Sequence, residues 1–121
     1  QDSGEKIAKA CGGTWVDWAD FSGLLYNVDL IVNCTTVGSQ ADLDNSPLNE
    51  VDVSLLPCSA IVYDVIYQPI KTKLLKLAES HSFVVLGGVG MNLEQAVIAC
   101  GKALGGSISV SKIREIMVTV K

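Results

Sequence analysis

The chain has 121 residues, of which 49% are hydrophobic and 18% charged, and its net charge is −4. That length is one domain's worth, and a chain this apolar folds around a core rather than staying disordered. The acidic balance excludes the basic patch a nucleic-acid partner needs, and the apolar runs are strand-sized, far short of the roughly 18 residues of a membrane span.

Taken in chain order, Ile7, Ala8 and Cys11 recur at helical spacing, with Asp2 and Glu5 as a capping box and Gly12-Gly13 as the stop. Thr14 to Trp18 is a short β-prone run, and Asp20 to Leu25 predicts a brief helix or turn. Asp29 to Cys34 reads as a continuous apolar strand, the pattern of a parallel strand covered on both faces. Thr35 to Glu50 is a long polar loop, of the kind that is usually functional. Ala60 to Val65 predicts a second buried strand, and Lys71 to Ser80 a helix with Leu74, Leu77 and Ala78 on one face. Phe83 to Leu86 predicts a third strand, stopped by Gly87-Gly88. Asn92 to Leu104 predicts a helix burying Ala96, Val97, Cys100 and Leu104, and Ser111 caps a last helix through Val118. Strands alternating with helices imply an α/β fold with a parallel sheet.

The four cysteines form no C-x-x-C pair and His81 is the only histidine, so no zinc site is expected. Cys34, Cys58 and Cys100 read as small core residues. The pattern suits a reducing cytoplasm, and Gln1 to Glu5 has none of the features of a secretory leader.

Two blocks stand out. Val62 to Leu75 and Val85 to Ala96 each run from a strand through an elbow into a helix, and open α/β sheets bind ligands at the carboxyl ends of their strands. Gly88-Val89-Gly90 is not a dinucleotide fingerprint, because the third glycine falls at Leu93. Its glycines serve a tight turn or the close approach of a flat ligand ring. Asn33, Thr35 and Thr36 either hold a ligand or satisfy the turn backbone. The Tyr67 hydroxyl either points into the crevice or covers the sheet edge. Asn92 and Gln95 are spaced as a capping box, with Gln95 alternatively an amide for a polyhydroxy substrate. Lys71 and Lys73 read as surface lysines, and Asp64 with Tyr67 lacks a partner for proton chemistry.

These blocks resemble the C-terminal part of the shikimate dehydrogenase family. The residues that carry the likeness are Asp29-Leu30-Ile31-Val32-Asn33-Cys34-Thr35-Thr36-Val37-Gly38, then Pro47-Leu48, then Tyr63-Asp64-Val65-Ile66-Tyr67 with Pro69, Thr72, Leu74 and Leu75, then Gly87-Gly88-Val89-Gly90-Met91 with Gln95. The resemblance implies reversible reduction of 3-dehydroshikimate to shikimate by NADPH, in aromatic amino acid biosynthesis. It implies that Asn33, Thr35, Thr36, Val65, Gly88 and Met91 bind the NADP cofactor on its nicotinamide side. Tyr67 and Gln95 would then bind substrate. Ser39 stands where the family usually has methionine, and Asn92 where it usually has an apolar residue.

The resemblance further implies that residues 1–121 are the C-terminal part of a Rossmann-like NADP-binding domain, carrying strands 3–6 of a doubly wound fold and lacking its first two strands. The N-terminal substrate domain, with its catalytic Lys/Asp pair, and the Gly-rich pyrophosphate turn would lie outside the chain. The chain itself would then hold no catalytic residue and be inactive alone. Strand order 3-2-1-4-5-6 would leave an open edge on the strand starting at Asp29, and such an edge invites self-association or the missing N-terminal part. The alternatives are a truncated relative acting as a binding or assembly module, and a quinate/shikimate dehydrogenase using NAD.

Overall fold

The computed structural model of the chain describes residues 2–119. Helix α1 spans Asp2–Ala10 and a 3-10 helix spans Phe21–Asn27. Strand β1 (Leu30–Asn33), helix α2 (Glu50–Ser54), strand β2 (Ile61–Asp64), helix α3 (Lys73–Ser80) and strand β3 (Val84–Gly87) follow. The chain ends in helices α4 (Val89–Ala103) and α5 (Val110–Thr119). The capping box proposed for α1 needs the Asp2 side chain, which lies outside the described residues.

The three strands form one parallel sheet in the order β1-β2-β3. Both connections step the same way across it, and the right-handed rule for parallel crossovers puts both on one face. The core lies on that face: Val62 of β2 packs with Leu25, Leu48, Val53, Leu56, Leu74, Leu75 and Ala78, flanked by Ile31, Phe83 and Val85. The opposite face carries Leu30 and Val32 of β1 and Val84 and Leu86 of β3, which are 51%, 42%, 62% and 51% exposed. The expectation of strands covered on both faces is therefore corrected. Period-2 alternation sends half of each apolar strand to a face on which neither crossover lies.

Other expectations are corrected too. Thr14 to Trp18 forms no strand. In the order 3-2-1-4-5-6, a strand at that place pairs with strand 2 rather than with its successor in the chain, so this run has no sheet neighbour to join. Cys34 and Cys58 are exposed and Cys100 half-buried, because the first two sit in loops past the core and the third lies on α4, whose only buried residue is Val97. Ala96 and Leu104 are exposed as well, since α4 packs chiefly on α5. Ser109, not Ser111, caps α5: its hydroxyl accepts the Lys112 amide at 3.3 Å. Helix α2 was not foreseen. Its signal is Asn49-x-x-Asp52, a reciprocal capping box in which each side chain accepts the other's backbone amide at 3.0 Å. No described helix is long and apolar enough to cross a membrane.

Candidate functional site

Asn33, Asp64 and Gly87 are the last residues of the three strands and stand side by side in register. Beyond this row lie three loops. Between the first two opens a cavity of about 410 Å³, lined by Thr35, Thr36, Ser39, Gln40, Ala41, Val65, Ile66, Tyr67 and Gln68. A cleft of that size at the carboxyl ends of parallel strands falls within the range of small-molecule sites.

The first wall is built from Asn33. This side chain is 4% exposed, and its polar capacity is spent internally. Its amide donates to the Val37 carbonyl and to Asp64 Oδ1, each at 3.2 Å. Its Oδ1 accepts the Thr35 amide at 3.0 Å and the Thr35 hydroxyl at 2.7 Å. Thr35 Oγ1 in turn accepts the Val37 amide at 3.2 Å. These bonds curl the loop so that Thr36 faces the cavity. Gly38 closes the curl with φ +95, beside the Asn45 carbonyl, a conformation that an L side chain would strain.

The second wall rests on Asp64, which is fully buried. Its Oδ2 accepts the Thr72 hydroxyl at 2.7 Å, and its Oδ1 accepts the Ile66 amide at 3.0 Å as well as Asn33. Thr72 Oγ1 also accepts the Leu75 amide at 3.3 Å, which makes Thr72 the N-cap of α3. A buried carboxylate needs such donors. The two loops are tied to each other directly as well, through the Gln40 amide and the Gln68 carbonyl at 3.1 Å. Tyr67 stands on this wall, 48% exposed.

The third elbow differs from its sequence reading. Helix α4 starts at Val89, so Gly88 is the N-cap residue and the Asn92 amide already bonds the Gly88 carbonyl at 2.9 Å, as a helical turn requires. The capping box on Asn92 and Gln95 is thus corrected: Asn92 is inside the helix. Gly88 is buried against the second loop, donating its amide to the Ile66 carbonyl at 3.2 Å, and a Cβ there would collide with the Val65 carbonyl. Its demand for glycine comes from backbone meeting backbone. Met91 and Gln95 follow Gly88 at helical spacing, so the three lie along one stripe of α4. Met91 is half-buried and Gln95 exposed, and no hydrogen bond of the Gln95 side chain occurs among the described residues.

The cavity thus gathers Thr35, Thr36, Val65 and Tyr67, with Asn33 and Gly88 behind its walls. Met91 and Gln95 do not line it. Lys71 pairs with Glu79 at 2.8 Å on the surface, and Lys73 donates to the Asp44 carbonyl at 2.6 Å, so neither serves the crevice. No group of three or more metal-ligating side chains occurs among the described residues. Reading the sequence missed the joint role of Asp64 and Thr72. The signal was there, in an acidic residue closing an apolar strand with a threonine at the next helix start.

No family model matches the chain. A shikimate dehydrogenase (NADP(+)) from Microcystis aeruginosa is 37% identical over 98 residues, 81% of this chain and 34% of that protein. Quinate dehydrogenase from Corynebacterium glutamicum in complex with NAD superposes with a TM-score of 0.74 at 31% identity, over 99% of this chain and 42% of that one. The chain belongs to the shikimate dehydrogenase family. A further family structure, the Listeria monocytogenes shikimate 5-dehydrogenase in complex with shikimate and NAD, gives a TM-score of 0.67 at 30% identity, over 84% of this chain and 34% of that one. The chain spans between a quarter and about a third of the length of the first curated relatives it matches. Its open parallel sheet with flanking helices is the partial Rossmann-like fold that the family likeness implies.

Proposed function

We propose that this chain is the cofactor-side portion of an NADP-dependent shikimate dehydrogenase, the C-terminal part of its nucleotide-binding domain. The observation that carries the reading is the crevice itself: the residues that resemble the family's motifs converge at the strand ends. The residues fit the nicotinamide end of the cofactor. Thr35 and Thr36 lie on one wall and Val65 on the other, leaving a slot for a flat ring, with Gly88 behind the Val65–Ile66 backbone and Met91 one helical turn further along α4. Asn33 contributes through Thr35. The bound cofactor would supply hydride to the ring carbonyl of 3-dehydroshikimate. Tyr67 offers a hydroxyl and Gln95 an unengaged amide to the substrate's hydroxyls or carboxylate. The proton for the new hydroxyl comes from outside this chain, since Asp64 is buried and committed to Thr72, Asn33 and Ile66.

In its full natural length the protein is expected to reduce NADP⁺ with shikimate, read as NADPH absorbance, whereas residues 1–121 alone are expected to give no turnover. Gln95→Leu should raise the shikimate KM about tenfold, the loss of one substrate hydrogen bond, with an unchanged melting temperature. Turnover by the 121 residues alone, or an unaltered KM, would refute the assignment.

A second reading is a quinate dehydrogenase using NAD, favoured by the superposition on the quinate enzyme over nearly the whole chain. Turnover of quinate with NAD⁺ against shikimate with NADP⁺ separates the two. As partner we infer either the remainder of a longer chain or a second copy, seated on the bare edge of β1 and the uncovered sheet face. Four free thiols, three of them exposed, suit a reducing compartment such as the cytoplasm.

A further inference from the structure

Asp64 is the most deeply placed ionisable group at the crevice, yet it lines nothing and touches no ligand position. Its burial is complete, and its partners are three neutral donors. Burying a carboxylate is costly, and an apolar side chain of similar size serves a core at least as well. What distinguishes the Asp64 bonds is where they go. Asn33 ends β1 where the loop carrying Thr35 and Thr36 begins, Ile66 belongs to the loop that carries Tyr67, and Thr72 stands at the start of α3. One carboxylate therefore joins both walls of the cavity and the helix behind them.

We propose that Asp64 is a positioning residue: by holding Asn33 and the Ile66 amide on one oxygen and Thr72 on the other, it sets the width of the slot between the Thr35–Thr36 loop and the Val65–Tyr67 loop. The proposal deepens the cofactor-site reading and rests on it for its kinetic consequence. A side chain with this role acts on cofactor affinity in the folded protein, whereas a purely structural one acts only on the amount folded.

The test uses the protein in its full natural length with Thr72→Val, which strips one donor from Asp64, and Thr72→Ser, which keeps it. Thr72→Val is expected to raise the NADP⁺ KM, and the NADPH dissociation constant by fluorescence titration, about tenfold, the effect of one hydrogen bond to a charged group. Thr72→Ser is expected to restore both. A Thr72→Val protein that melts earlier but binds NADPH as tightly as the parent overturns the proposal. If the parent shows no turnover or NADPH binding, the functional reading falls, and slot width is decided by NMR. Thr35 and Tyr67 amide resonances displaced in Thr72→Val and restored in Thr72→Ser support it; unmoved resonances overturn it.

Discussion

Gly88 shows why a glycine in a strand-to-helix elbow need not face a ligand. Its α-carbon sits against the Val65–Ile66 backbone, and any Cβ would meet a carbonyl group that has no rotamer to escape into. Gly88→Ala is therefore expected to cost about 3 kcal/mol, the upper end of overpacking penalties, measured by urea unfolding. An unchanged urea midpoint would show that the elbow can open without loss. Gln95 is the opposite case, exposed and free of hydrogen bonds among the described residues, so its amide is available to a ligand. Asn33 lies between them. The sequence left it either a ligand contact or a support for the turn, and the structure spends three of its four side-chain hydrogen bonds on the loop and the fourth on Asp64.

Among the elements, α4 packs on α5 with Val97 and Ile113 both buried and Ile113 beside Gly101, and a fork between Arg114 and Glu94 ties the two helices at 2.7 and 2.6 Å. The Arg114 hydrogen bond, reinforced by its charge, holds the Glu94 carboxyl below its ordinary pKa, and Glu94 raises that of Arg114. A depressed carboxylate pKa stabilises the folded state above the unfolded value, and the contribution is lost as pH falls through the folded value. The protection factors of the α5 amides, which correct for the intrinsic slowing of exchange in acid, should accordingly fall as the pH drops below the usual glutamate range. Glu94→Gln should show slightly lowered α5 protection factors already at neutral pH and little further fall on acidification; parallel protection profiles for the two proteins would rule the fork out. The pair is exposed, so the effect is small and salt-sensitive. Strands and helices were legible where an apolar pattern met a stop signal, as at Gly87-Gly88 after β3. The start of α4 was misplaced because Asn92 and Gln95 mimic a cap, while the true N-cap, Gly88, has no side chain to announce itself. Helix α2 escaped because five residues give too little periodicity to read.

For the whole molecule, the decisive asymmetry is a sheet with its crossovers on one face only. Leu30, Val32, Val84 and Leu86 then present an apolar surface, and the backbone of β1 beyond its pairing with β2 is an open edge. The 121-residue chain is expected to associate at micromolar concentration, read by sedimentation velocity. Val32→Lys with Leu86→Glu should shift it toward monomer without lowering its melting temperature, whereas a monomeric parent chain would remove the case for a partner on this face. This burial pattern was not legible from the strands themselves. Leu30 to Val32 is equally apolar at successive positions, and which half is covered depends on where the chain's own helices return.

The Gly88 contact has a mechanical consequence. No side chain cushions α4 where it meets the second loop, so the helix is a rigid arm mounted on a fulcrum of bare backbone. Gln95 stands seven residues out along that arm, about 10 Å at the helical rise. A tilt of about 10° at the mount swings the amide through about 2 Å, from hydrogen-bonding range to none. Whatever seats in the slot between Thr36 and Val65 bears on the loop that carries the mount. The slot and the Gln95 arm thus share one support, the Val65–Ile66 backbone.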